Sequence, residues 1–276
     1  GCSTNACLAA RRLGRPALLV GAVGADFRER FVADLQRYDI AHALQPSEQT
    51  GGFALDYYDE HGNRTLDVLG IADPIRSLPA GLERAGFVLL GPIMGEVSHA
   101  LVHQARAATR APLLLDPQGL VRRIAPGGDG RRRAEHYRNP ELDAIIPLCD
   151  VVKANEVETQ VITGIEPRRD GPAAVRALHA LGCRIAIVTL AEAGSLIYDG
   201  QELLTIPAFA TVARDPTGAG DTYAAGFMVK YGEAPRDLRA VGCFASAVAS
   251  VMVEHTGPDF PLTRAEAERR AAQLYS

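Results

Sequence analysis

The sequence predicts an α/β protein: a doubly wound, mostly parallel sheet with helices on both faces and a small β lid. Three observations predict it. Short apolar strands alternate with helical segments along most of the chain, the pattern of a sheet covered on both faces. Asp26, Asp116, Asn155 and Thr189 each fall just after a predicted strand, where such sheets gather their ligands. The rhythm breaks once, at 50–70, where a hairpin pattern intrudes.

Taken in order, Ala6 to Leu13 reads as a helix stopped by Gly14, a residue that tolerates the positive φ of a helix end. Ala17 to Val23 is a buried strand, followed by a turn at Gly24-Ala25-Asp26 and a helix from Glu29 to Tyr38. Gly52 to Asp59 then alternates, with Phe53, Leu55 and Tyr57 on one face; His61-Gly62-Asn63 is turn chemistry, and Leu66 and Val68 alternate on the return strand. Period-2 patterning around a turn is a hairpin. It is read as a flap at 50–70 in a body made of 1–49 and 71–276, with an edge hairpin of the main sheet as the alternative. Strands follow at 87–90, 112–116, 150–153 and 185–190, with helices at 97–108, 157–162, 172–181, 222–231 and 239–254 and a hairpin from Gly194 to Ile206. The arginine-rich stretch Arg122 to Arg138, with glycines around Asp129, is expected to be a solvated, mobile loop; the competing expectation is that Arg122 or Arg123 reaches a phosphate or a sugar hydroxyl. Because a fold of this type starts on a strand, native residues are expected ahead of Gly1.

The chain has 276 residues, 47% of them hydrophobic, a formal net charge of −4 and a pI near 6.0. That is enough chain for one large domain with a continuous core. Nothing in the charge calls for a nucleic-acid or anionic-membrane partner. The apolar run from Pro16 to Val23 is too short to span a bilayer. Five cysteines, an odd number without a CxxC, argue against a disulfide framework or a zinc site and for a cytoplasmic location. His99 and His103 share a helical face but lack the glutamate of HExxH, so they are expected to be surface residues. The P-loop, dinucleotide and nucleophile-elbow motifs are missing.

The chemistry concentrates in Asp215-Pro216-Thr217-Gly218-Ala219-Gly220-Asp221, which leads into a small-residue helix. Glycines let backbone approach a ligand closely, and the start of the helix presents unpaired N–H groups. Asp221 stands at the lip of that anion site, where a carboxylate can take a proton from a hydroxyl while the N–H groups hold developing phosphoryl charge. The plainer reading is a glycine loop with an aspartate cap.

Together with other segments this stretch resembles the signature of the ribokinase-like (PfkB) carbohydrate kinase family. Asn5 and Leu13-Gly14 followed by Gly21-x-Val23-Gly24-x-Asp26 are similar to the family's N-terminal pattern, Asn155-x-x-Glu158 to its Asn-x-x-Glu motif, and Val188-Thr189 with Gly194 to its nucleotide-side strand and turn. The resemblance runs over nearly the whole chain. It implies ATP-dependent phosphorylation of a hydroxyl on a sugar, polyol or nucleoside. Asp221 would be the base, and Gly218, Ala219 and Gly220 the anion hole. Asn155 and Glu158 would organise Mg2+ and the phosphates through water, and Thr189 and Gly194 would contact the nucleotide. Asp215 and Thr217 would bind a monovalent cation such as K+. Asn5, Gly24 and Asp26 would face the acceptor, and the flap would act as a lid or pair with a second lid in a homodimer. Departures accompany the match. Ala191 stands where the family has glycine, Pro216 replaces a common threonine, and the strand end at Gly91-Pro92-Ile93 lacks a carboxylate. Asp116-Pro117-Gln118 is similar to a stretch of the inositol-kinase-like branch. The alternative activity is a catalytically idle sensor of a nucleotide or metabolite on the same scaffold.

Overall fold

The structure, a computed structural model, describes residues 1–57, 64–127 and 130–275. The expected turn at His61-Gly62-Asn63 and the Asp129 region lie outside the described residues, as does the Tyr57 side chain. The chain opens on α1 (Cys2–Arg12), then β1 (Leu18–Gly24), α2 (Ala25–Arg37) and β2 (Ala41–Ser47). β1 and β2 pair in parallel across α2. β3 (Gly52–Tyr57) and β4 (Arg64–Gly70) form the expected hairpin. Phe53 pairs with Val68 and Leu55 with Leu66, so the apolar positions share one face; Leu66 and Val68 are buried.

The body follows: β5 (Val88–Leu90), α3 (His99–Ala108), β6 (Leu113–Leu115), β7 (Arg122–Pro126), β8 (Arg132–His136), a short α4 (Leu142–Ile145), β9 (Val151–Asn155), α5 (Glu156–Thr163) and α6 (Gly171–His179). It ends on β10 (Ile185–Thr189), β11 (Ser195–Tyr198), β12 (Leu203–Ile206), α7 (Ala219–Tyr231), α8 (Leu238–Val253) and α9 (Arg264–Tyr275). Six strands make the central sheet in the order β12-β11-β10-β9-β6-β5. β5, β6, β9 and β10 run parallel; β11 is antiparallel to β10, and β12 to β11.

Alternation along the strands sorts the core onto two faces. Leu114, Val151, Ile185, Ile187 and Ile197 pack with Phe227 of α7 and Phe244 of α8. Their neighbours Leu115, Val152, Ala186, Val188 and Leu196 pack with Val102 of α3 and Val175 and Leu178 of α6. Each such burial contributes roughly 1.5–3 kcal/mol, which is why both faces of an apolar strand demand helices.

The arginine-rich segment is not a mobile loop. Arg122–Pro126 and Arg132–His136 pair as a hairpin that docks on β4, completing a four-stranded sheet β3-β4-β8-β7. Charge complementarity makes strands of it: Arg123 faces Glu135 across the hairpin at 2.6 Å, and Asp67 of β4 accepts from Arg131 and Arg133 at 2.9 Å each. Among the described residues no helix is long and apolar enough to cross a membrane. All five cysteines are free thiols, and burial pushes Cys7, Cys149 and Cys183 up to about 12. His99 and His103 are exposed, as expected of surface residues.

Candidate active site

The glycine loop starts α7. Gly218 is its N-cap at φ +87°, the left-handed conformation that glycine adopts without penalty. The loop is locked from within by Thr222, whose Oγ1 donates to the carbonyls of Gly218 and Ala219 at 3.0 Å. Ala219 N–H donates to Pro216 O at 3.2 Å; among the described residues the N–H groups of Gly220 and Asp221 have no backbone acceptor, and groups so left at a helix start can take an anion.

Asp221 is buried in the first turn of α7. Asn5 of α1 donates from Nδ2 to Asp221 Oδ2 at 2.8 Å, across 216 residues of chain. The same amide lies against Gly218, where a Cβ would meet it at 2.8 Å. Asn5 therefore orients the carboxylate and needs the glycine to do so. Cys2, one turn earlier on α1, brings its thiol to the same place: Cys2, Asp116 and Asp221 present atoms within 4.8 Å of one another. Burial first, then Asp221 and Asp116, push the Cys2 thiol well up, so it is a neutral wall.

Asp116 directly follows β6 and is fully buried; Lys153 in the middle of β9 donates to its Oδ2 at 2.6 Å. Burial works against the Lys153 charge, but Asp116, then Glu158 and Asp221, outweigh it, and the net shift is upward. Lys153 is an ammonium ringed by three carboxylates. Asn155 and Glu158 form a reciprocal capping box at the start of α5. Asn155 Oδ1 accepts from Glu158 N–H at 2.9 Å, and Glu158 accepts from Asn155 N–H at 2.9 Å and from its Nδ2 at 2.8 Å. Burial, then the charge of Asp116, push Glu158 up to about 7, against the pull of Lys153 and Arg122. A carboxylate so short of counter-charge fits a divalent cation. Because its oxygens and the Asn155 carbonyl are engaged in the cap, a hydrated ion such as Mg2+, which keeps several waters, suits the pair.

Other expected residues gather in separate groups. Thr189 ends β10 in register with Asn155 of β9 and Ser195 of β11. Gly194, at φ +86°, packs so tightly on β12 that a Cβ would lie 2.1 Å from Ile206 O. Ala191 takes φ +48°, the conformation that the glycine expected there would hold freely. Asp215 Oδ1 accepts from Thr217 N–H at 2.9 Å. Gly24 and Asp26 meet at the root of the β3–β4 hairpin: Thr50 Oγ1 accepts from Gly24 N–H at 3.0 Å and donates to Asp26 Oδ1 at 2.8 Å. Asp26 is exposed there, engaged with Thr50.

Cys2, Lys153 and Glu96 escaped the sequence reading as site members; Asp116 stood out there as a strand-end residue, but without its partner Lys153. Lysine inside the apolar strand Val151–Asn155 was the available signal, since a buried lysine needs a partner. Glu96 supplies a carboxylate near the strand end at Gly91-Pro92-Ile93, accepting from Ile93 and Met94 N–H at 3.0 and 2.7 Å. Of the two arginines considered, Arg122 reaches the centre. It donates to Gln118 Oε1 at 3.0 Å and Ile93 O at 3.2 Å and stacks 5.6 Å over Phe53 of the hairpin.

The chain is similar to known carbohydrate and nucleoside kinases. Residues 129–265 match the pfkB family carbohydrate kinase profile. A nucleoside kinase of Methanothermobacter thermautotrophicus is 28% identical over 99% of this chain and 84% of its own. A cytidine kinase of Thermococcus kodakarensis is 26% identical over 84% of this chain and 78% of its own. Among solved structures, a sulfate complex of a pyrophosphate-dependent kinase in the ribokinase family superposes with a TM-score of 0.81 at 22% identity, covering 95% of this chain and 89% of that one. The fold is the one found in ribokinase-family kinases. The chain is similar to the pfkB carbohydrate kinases, by profile over residues 129–265 and by relatives that it matches over most of its length.

Proposed function

We propose that this protein phosphorylates a hydroxyl of a sugar, polyol or nucleoside with ATP, using Asp221 as the base. One observation carries the reading. Asp221 is buried at the start of α7, oriented by Asn5, beside unpaired N–H groups and the Lys153 ammonium. Proton acceptor, anion site and counter-charge are the parts that phosphoryl transfer needs. The acceptor hydroxyl would lie between Asp221 and the β3–β4 hairpin, with Asn5, Glu96 and the Gly24–Asp26 turn around it. The hairpin and its arginine-rich partner would close over the acceptor and limit hydrolysis of the donor.

Asn155 and Glu158 would hold hydrated Mg2+, which supplies charge neutralisation to the donor phosphates. Asp215 and Thr217 are assigned to a monovalent cation, and Thr189 with the Gly194 turn to the nucleotide side. The likeness of Asp116-Pro117-Gln118 to the inositol-kinase-like branch favours a polyol among the acceptors.

The test is Mg2+- and K+-dependent donor consumption over a panel of sugars, inositols and nucleosides, with pyrophosphate as the control donor. Asp221→Asn is expected to lower turnover by about 10²–10⁴-fold, the usual worth of a general base, and to leave nucleotide binding intact. Unchanged turnover in that variant would remove Asp221 from the mechanism; consumption of pyrophosphate alone would overturn ATP as donor.

A further inference from the structure

The ion pair between Lys153 and Asp116 is more than that pairing requires. A lysine ammonium has three N–H donors. Among the described residues Lys153 gives one, to Asp116 Oδ2 at 2.6 Å, although its side chain is only 4% exposed. A buried donor left without an acceptor carries a full desolvation penalty, so two such donors mark a place made for an absent anion. Their location says which one. A Cβ on Gly220 would lie 2.7 Å from Lys153 Nζ, with no atom but Lys153's own Cε also within 4 Å. The ammonium therefore rests directly against the bare face of the residue whose N–H group, with that of Asp221, is unspent. Glycine at 220 is what admits it.

A purely structural pair explains this poorly. Buried ion pairs add little net stability over well-packed apolar residues, and β6 and β9 are otherwise apolar where they pair. Cys2, Asp116 and Asp221 also come close enough to resemble a metal cluster. Lys153 already supplies the positive charge there.

We propose that Lys153 is the built-in cation of phosphoryl transfer: its two unspent N–H groups bind the terminal phosphoryl group of the donor, alongside the Gly220 and Asp221 N–H groups. This rests on the kinase reading above. The lysine transfers no proton and forms no bond. It offsets charge on the moving group while Asp221 takes the acceptor proton, and Asp116 holds it in place. A residue that touches only the terminal phosphoryl group must distinguish ATP from ADP.

The experiment compares wild type, Lys153→Met and the double variant Asp116→Asn/Lys153→Met, which removes both charges and so avoids stranding a buried carboxylate. Calorimetry with Mg2+ measures binding of ADP and of β,γ-imido-ATP, and steady-state assays give kcat and the acceptor KM. Lys153→Met is expected to weaken β,γ-imido-ATP by about tenfold or more, the effect of losing one charged contact, with ADP affinity unchanged. Its kcat is expected to fall by about 10²–10³-fold, as for loss of one oxyanion donor, at unchanged acceptor KM. If Lys153→Met does not fold, the double variant decides on the same ratio of affinities. An imido-ATP to ADP ratio equal to that of wild type overturns the proposal, whether both affinities hold or both fall together; Lys153 is then a counter-ion to Asp116 alone. Wild type without acceptor-dependent turnover would instead sink the kinase reading, and the affinity ratio would still judge Lys153 as a terminal-phosphate ligand.

Discussion

Ala191 shows how one residue can carry a cost that its neighbours impose. It follows the end of β10 and takes φ +48°, with Gly194 at φ +86° closing the same turn. A left-handed backbone costs a residue with a Cβ roughly 1–2 kcal/mol, and replacing it with glycine forfeits about 0.5–1 kcal/mol through the unfolded chain. Ala191→Gly is therefore expected to stabilise the protein by about 0.5–1 kcal/mol, raising Tm by roughly 1–3 °C in a domain of this size. A melting curve unmoved or lowered would show that this turn holds alanine without strain. The position was readable in advance because the family pattern has glycine there. Asp221, Gly218 and Gly220 were readable for a related reason: a loop whose glycines, cap and carboxylate lie within a few residues shows its pattern in one stretch. The pairing of Asp116 with Lys153 was not, because it spans 37 positions and exists only once β6 and β9 pair.

At the scale of elements, the central strands and most helices were readable from period and punctuation, since each strand of the sheet must be apolar on both faces. β7 and β8 were not. Arg122–Pro126 and Arg132–His136 have little strand propensity and read as a charge run. Their pairing depends on Glu135 within the hairpin and on Asp67 from another hairpin, information that no local window holds. β2 and α9 were missed for weaker patterning. Ala41–Ser47 has no buried position, and α9 buries only Ala267, Arg270 and Ala271. The pairing at Asp67 has a functional consequence. Its carboxylate, drawn down by hydrogen bonds from Arg131 and then Arg133, joins the hairpin that carries Phe53 to the one that begins at Arg122. Asp67→Ala is expected to raise the acceptor KM several-fold with kcat and Tm nearly unchanged, because an ion pair at the surface adds little to global stability. Trypsin should also cut faster at Arg131–Arg133 in that variant. An acceptor KM equal to wild type would mean that the two hairpins close independently.

For the whole molecule, α9 and the end of α7 are joined by charge rather than by a broad apolar seam. Arg264 donates to Glu233 through Nη1 and Nη2 at 2.9 and 2.5 Å, and Arg15, beyond the end of α1, donates to the same carboxylate at 2.6 Å. Three separated stretches of chain thus meet at one glutamate, whose hydrogen bonds from Arg264 first, and then Arg15, hold it down to about 2, against a usual value of 4.5. The sign follows from linkage. Below both values the group is protonated in folded and unfolded chains and contributes nothing. Above 4.5 it is ionised in both, and the folded state keeps the full benefit of the arginines. Stability from this site is therefore present above about pH 4.5 and is lost as pH falls toward about 2. Partial exposure of Arg264 and Glu233 screens the interaction, so the contribution is well below what the shift alone would give. Glu233→Gln is expected to flatten the urea-denaturation midpoint between pH 5 and pH 3 relative to wild type. It should leave acceptor-dependent turnover at neutral pH unchanged, since neither Glu233 nor its partners belong to the Asp221 centre. An acid dependence identical in the two proteins would show that the three stretches are held together by their packing and not by this carboxylate.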